Sequence, residues 1–244
     1  MIRRLLATSG GFVPGPVQRS YRVGDMVLEA LALTGKTRPR VCLVETASGD
    51  DSAFYAALYE AFNVAGCDVT DLRLFPQPSG DPEERLSGSD LVWVGGGSVA
   101  NLLVLWRLHG VDLAMRDAWE AGTILAGVSA GSLCWHQGGT TDSYGPTLRP
   151  VTNGLALVPY ANGVHYNSEA QRRPLLHQLI SEGVLGPLAF ATDDHVGILY
   201  ENDQPARVVS DFPVDPHSGP GAYRVELTAE GVVETRWPVG TVLN

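Results

Sequence analysis

Five short apolar runs occupy the first half of the chain: Arg3–Thr8, Arg40–Glu45, Asp68–Leu74, Leu91–Val94 and Thr123–Ala126. Between them lie segments whose apolar residues recur at helical spacing. In Ser52–Ala65, Phe54, Leu58 and Phe62 share one face, and Val23, Val27, Leu28 and Leu31 do the same around Gly24–Leu33. Asn101–Leu108 and Val111–Ala121 read as helices, and Asp81-Pro82 opens a helical turn through Arg85. Strands alternating with helices at this spacing build βαβ units, so the expected fold is α/β: three layers, with a mostly parallel sheet flanked by helices.

The second half reads differently. Gly138–Pro150 is a long polar stretch and a candidate lid loop. Gln171–Ser181 reads as a helix. Pro187–Thr192, Val196–Tyr200, Ala206–Val209, Tyr223–Leu227 and Val232–Arg236 read as short strands with tight turns, an antiparallel C-terminal extension at a sheet edge. No repeat, low-complexity tract or linker interrupts residues 1–244, which are expected to form one domain.

Composition narrows the function classes. The chain is 44% hydrophobic and 18% charged, a globular balance rather than a disordered one. A formal charge of −10 argues against nucleic acid and membrane surfaces as partners. No run approaches the ~20 apolar residues of a membrane span. The start is too short in its apolar stretch to read as a signal peptide. Cys42, Cys67 and Cys134 are widely spaced and odd in number, which points to reduced thiols and a cytoplasmic location.

Chemistry concentrates around "GVSAGS", Gly127 to Ser132, directly after an apolar strand. Gly-x-Ser-x-Gly in that position suggests a nucleophile elbow carrying Ser129, although a plain Gly/Ser turn has the same letters. In the elbow reading, the Ala130 N–H is one oxyanion donor, and a second comes from Gly95-Gly96-Gly97, the turn after another strand at the same sheet edge. That turn alone could equally cradle a phosphate or simply join strand to helix, but no Gly-Lys-Ser/Thr follows, which excludes a P-loop. Among six histidines, His165 and His195 lie in irregular segments that can aim a ring into a site, whereas His109 reads as a helix cap and His136, His177 and His217 as packing or surface residues. Asp142, Glu169, Asp193 and Asp194 are the carboxylates that could orient such a base. No H-x-x-x-H or H-x-H spacing occurs, so no metal site is expected; no cofactor is expected either.

"WVGGGSVANLL", "GVSAGS", "VHYNSE" and "ATDDHVGILY" together resemble, in order and spacing, the peptidase E family of serine peptidases, the bacterial aspartyl dipeptidases related to cyanophycinases. The likeness spans roughly residues 40–200. It implies a fold like that of class I glutamine amidotransferases with serine for cysteine, and metal-free hydrolysis of the bond after an N-terminal aspartate. By motif, Ser129 is the nucleophile, His165 the general base, and Gly97 with Ala130 the oxyanion hole. Asp194 is favoured as the acid, with Asp142 as the alternative. The order Ser, His, Asp disfavours an α/β-hydrolase, which would pair Asp194 with His217. Two departures stand out: Ser98 follows the glycines where the family often has Asn, and the segment after His165 is short. The family holds the substrate's aspartate with a basic residue hereabouts, which makes Arg172 or Arg173 the candidates. The implied partners are a small acidic peptide as substrate and a second copy of the chain in a homodimer. A cyanophycinase-type amide hydrolase acting on β-linked acidic peptides, and a non-catalytic binding or stress protein, are the competing readings.

Overall fold

The computed structural model describes residues 2–18 and 20–243; Met1, Arg19 and Asn244 lie outside it. In chain order the elements are β1 (Arg4–Thr8), β2 (Phe12–Pro14), β3 (Tyr21–Val23), α1 (Asp25–Leu33), β4 (Arg40–Val44), α2 (Ser52–Val64), β5 (Asp68–Asp71), α3 (Pro82–Ser87) and β6 (Leu91–Val94). Then come α4 (Val99–His109), α5 (Val111–Glu120), β7 (Ile124–Val128), α6 (Ala130–Leu133), β8 (Gly138–Thr141), β9 (Arg149–Val151), β10 (Ala161–Gly163) and α7 (Arg172–Ser181). The chain closes with β11 (Leu188–Thr192), β12 (Val196–Glu201), β13 (Gln204–Ser210), β14 (Gly221–Thr228) and β15 (Gly231–Pro238).

The first sheet has the order β13-β12-β1-β7-β6-β4-β5. Pairing from β1 through β7, β6 and β4 to β5 is parallel, and β12 and β13 add antiparallel strands beyond β1. Side-chain alternation along these strands sorts the core onto two faces. Leu5, Cys42, Val92 and Leu125 point to the side covered by Leu86, Leu102, Trp106 and Trp119 of α3, α4 and α5. Leu6, Val41, Leu43 and Trp93 point to the side covered by Met26, Tyr55 and Phe62 of α1 and α2. This is the expected three-layer α/β arrangement. Three helix starts are capped by side chains: at α2 Asp51 accepts from the Ala53 N–H at 2.7 Å, at α3 Asp81 from Glu84, and at α4 Ser98 from Asn101. Ser98 after the glycines is therefore an N-cap.

A second sheet has the order β15-β14-β11-β10-β8-β9. Two expectations are corrected here. The C-terminal strands do form, but they do not make one extension: β12 and β13 join the first sheet, β14 and β15 the second. Gly138–Pro150 is no lid; Gly138–Thr141 pairs antiparallel with Arg149–Val151 and parallel with β10. A Cβ on Gly138 would collide with the Val151 carbonyl, and one on Gly139 with that of Asn162, so this strand is built of glycine because neighbouring backbones press on it. Val94, Trp106, Trp135, Val151, Phe190 and Ala222 belong to one apolar cluster that touches both sheets.

Candidate active site

Because β1, β4, β6 and β7 run parallel, their carboxyl ends share one edge, and Ser9, Glu45, Gly95 and Ser129 follow them there. The elbow glycines have steric reasons to be glycine. A Cβ on Gly127 would strike the Gly131 carbonyl, and one on Gly131 would strike that of Val94, so helix α6 starts hard against β6 and β7. Ser129 sits between them at φ 55°, ψ −109°, outside ordinary non-glycine space. Such a conformation costs on the order of 1–3 kcal/mol and persists where surroundings over-determine it. Its N–H donates to the Thr8 carbonyl at 3.1 Å, and its carbonyl accepts the Ser132 and Leu133 N–H groups at 2.9 Å.

His165 hangs from the adjacent residue. Its N–H donates to Ser9 Oγ at 3.0 Å, and Ser9 Oγ lies 2.7 Å from Thr192 Oγ1. The Ser9 carbonyl accepts the His195 N–H at 3.0 Å. Thr8 and Ser9 thus tie the serine turn to the histidine turn and to the turn between β11 and β12. His165 takes φ 51°, and its Nδ1 meets Asp194 Oδ1 at 2.6 Å. The Asp194 N–H in turn donates to Asn167 Oδ1 at 2.9 Å. Both side chains of this contact are partly open to solvent at the edge, with exposures of 25% for His165 and 35% for Asp194.

The other candidates fall elsewhere. Asp142 is exposed in the turn between β8 and β9, and its carbonyl accepts the Gly145 N–H. Asp193 is buried and accepts from the Gly221 N–H and the Tyr223 hydroxyl. Its carboxyl is pushed up by desolvation. His195 pairs with buried Asp211 at 2.9 Å, His177 with Glu234 at 3.0 Å, and His217 lies in an exposed turn. His136 is fully buried between the Ser132 carbonyl and the Tyr200 hydroxyl, and desolvation lowers its pKa to about 4.

The two arginines expected to hold a substrate carboxylate are already engaged. Arg172 is 3% exposed; Nε and Nη2 grip both oxygens of Glu169 at 2.7 and 3.0 Å, and Nη1 donates to the Thr140 carbonyl. Arg173 is ion-paired with Glu234 and lies over the rings of Tyr166 and Tyr223 at 4.5 and 4.6 Å. Glu169, read as a possible orienting acid, serves Arg172.

Beside Ser129 lies a cleft of roughly 230 Å³. Gly96 faces the serine: a Cβ there would stand 3.4 Å from Ser129 Cβ. Gly97, at φ 132°, packs so tightly on the Ala47 carbonyl that only glycine fits. The cleft's walls are Phe12, Phe54, Leu58, Trp93 and Val128. Glu45, in sequence no more than the acid that ends an apolar run, also lines the cleft. The available signal was an acid closing an apolar run at the same sheet edge as the glycine turn and the elbow. Glu45 is 2% exposed, its Oε1 has no hydrogen-bond partner, and burial raises its pKa to about 8 with help from Asp50 and Asp51. Among the described residues, no group of three His, Cys, Asp or Glu side chains could hold a metal ion, and no helix is long and apolar enough to cross a membrane.

Comparisons with known proteins identify the family and the fold. The sequence pattern of peptidase family S51 matches residues 5–208. An uncharacterized peptidase of Bacillus subtilis (strain 168), YgaJ, is 38% identical over 204 residues, covering 84% of this chain and 85% of that protein. Peptidase E of Streptomyces coelicolor is 31% identical over 128 residues, 52% of this chain and 51% of its own. The crystal structure of a peptidase from an acI-B1 Actinobacterium superposes with a TM-score of 0.68 at 14% identity, covering 100% of this chain and 97% of that one, and so shares the fold. The resemblance carried by the four sequence motifs holds, and this chain belongs to peptidase family S51.

Proposed function

We propose that this peptidase cleaves short peptides by acyl transfer through Ser129, His165 and Asp194. The single observation that carries the reading is the tie from β1, which fixes the strained serine turn through Thr8 and the histidine turn through Ser9 while Asp194 holds the imidazole. With Nδ1–H donating to Asp194, Nε2 is the basic nitrogen. It takes the Ser129 proton as Oγ bonds to the peptide carbonyl carbon, and returns that proton to the leaving amine. Water then repeats the sequence on the acyl-enzyme. The N–H groups of Gly97 and of Ala130, the latter at the open start of α6, receive the oxyanion.

The finer expectation, hydrolysis after an N-terminal aspartate, needs a cation at the substrate's β-carboxylate. Arg172 and Arg173 are paired with glutamates, and the walls of the cleft beside Ser129 carry no basic side chain. The geometry supports a serine peptidase more strongly than it supports that preference or the β-linked acidic substrates of the cyanophycinase reading. The test is turnover of Asp-x, β-Asp-x, Glu-x and Leu-x substrates by the wild type and by Ser129→Ala. Hydrolysis of any of them that vanishes in Ser129→Ala supports the proposal, and undiminished hydrolysis by the variant overturns it. Folded wild type that turns over none of them favours the non-catalytic reading.

A further inference from the structure

The sheet order divides the site in two. Ser129 follows β7; on one side stand the residues tied to β1 and β12, namely Ser9, His165 and Asp194. On the other side stand Gly95 and Gly96 after β6 and Glu45 after β4, around the cleft. In the proposed reaction the leaving amine must face His165 to take its proton. The acyl half of the substrate, the residue N-terminal to the scissile bond, is then directed across Ser129 into the cleft.

What the cleft offers that residue is specific. Its volume is about that of one amino acid, and Phe12 meets Trp93 edge-on at 5.1 Å, so the aromatic wall is fixed by packing. Aromatic faces attract cations and apolar stems and give nothing to a carboxylate. The polar group at the base is Glu45, buried, with Oε1 unpartnered, where nearly all buried polar atoms find a partner. The charged groups near it are Asp50, which meets the Tyr55 hydroxyl at 3.2 Å, and Asp51, the α2 cap; both are negative. Phe54 stands at the mouth, 58% exposed, an apolar rim that a bound residue would cover.

From this arrangement we propose that Glu45 is a specificity-determining residue that recognises a primary ammonium on an apolar-stemmed residue N-terminal to the scissile bond. The inference rests on Ser129 being the nucleophile. Two sources can deliver that ammonium: the free α-amino group of an apolar N-terminal residue, or the side chain of lysine. In either case the aliphatic part lies on Phe12, Phe54 and Trp93 and the charge meets Glu45. An N-terminal aspartate would bring a second carboxylate into a negative, cation-free pocket and is disfavoured.

Binding to Ser129→Ala protein tests the idea without requiring hydrolysis. Isothermal titration at pH 7 uses leucinamide, N-acetyl-leucinamide, N-α-acetyl-lysinamide and aspartic acid α-amide. Leucinamide is expected to bind, with loss of about thirtyfold or more on N-acetylation if the α-amino group is the source. N-α-acetyl-lysinamide binding identifies the side chain instead. Adding Glu45→Gln should weaken the preferred ligand to a similar degree, with circular dichroism and Tm confirming that the protein is folded. A second readout needs no Glu45 variant. Glu45 is held protonated near pH 7 by burial, so an arriving ammonium should expel its proton, and titrations in buffers of different ionisation enthalpy should show release of up to about one proton per ligand. Unchanged affinity in folded Glu45→Gln, no binding of any cationic ligand, binding without proton release, or tighter binding of the aspartic amide overturns the proposal. Ligand binding by Ser129→Ala, combined with a wild type that hydrolyses nothing, would remove the catalytic reading and leave the recognition intact.

Discussion

His165 Nδ1 and Asp194 Oδ1 meet at 2.6 Å across the edge of the parallel sheet, while Asp142 stands exposed in the turn between β8 and β9. A carboxylate in that position selects the imidazole tautomer whose other nitrogen is basic. Asp194→Asn should therefore lower kcat by roughly 10³–10⁴-fold with KM little changed, by analogy with serine-protease triads. Asp142→Asn should leave kcat within about twofold, as expected for an exposed carboxylate that makes no contact with the imidazole. Steady-state kinetics on both variants with one substrate checks this, and the reverse ranking would hand the role to Asp142.

Arg172 distinguishes structure from recognition. Its guanidinium is buried, and all three of its nitrogens donate, to Glu169 and to the Thr140 carbonyl. Arg172→Met should destabilise the protein by about 2–3 kcal/mol, since removing one side of a buried pair strands the other, with some relief because Glu169 is 41% exposed at its side chain. Urea denaturation reads the loss. KM for apolar N-terminal substrates should stay within about threefold in the folded protein, whereas a substrate-binding arginine would raise KM and spare stability.

His136 predicts an acid limit. Full burial lowers its pKa from 6.5 to about 4. The native state keeps the ring neutral while the unfolded chain takes up a proton, so the stability it contributes is present above pH 6.5 and is lost as pH falls towards about 4. Between pH 7.5 and pH 5 the wild type should lose about 2 kcal/mol from this group. His136→Gln should show a correspondingly flatter dependence in urea titrations at the two pH values. Parallel pH profiles for the two proteins would contradict the assignment. Glu45 acts in the opposite sense: its raised pKa costs stability as pH climbs from about 4.5 towards 8.

The alternation of apolar runs and helical periods made the parallel sheet legible, because strands buried on both faces are near-continuous in Val, Leu and Ile and their edges end in glycine turns. The glycine-flanked turn was legible too, since Gly127, Ser129 and Gly131 follow a strand, and so were His165 and Asp194, which sit in irregular stretches and meet at 2.6 Å. The strand Gly138–Thr141 was not, since Gly-Gly-Thr-Thr has no apolar alternation and owes its shape to the Val151 and Asn162 backbones pressing on it. Nor was the fate of Arg172, which reads like any helix-start arginine until Glu169 and Thr140 close around it. Glu45 was missed for the same reason: an acid at a strand end is ordinarily solvated, and only close packing, with Gly95 directly against its carboxyl, makes it a buried, unpartnered group.

The most direct test of the central claim is covalent labelling with a fluorophosphonate probe, read by peptide mass spectrometry. The account predicts a single phosphonylated residue, Ser129, in the wild type, loss of labelling in folded Ser129→Ala, and labelling slowed by at least about 10²-fold in His165→Ala. Adduct formation on a different residue, or equal labelling of wild type and Ser129→Ala, would contradict it.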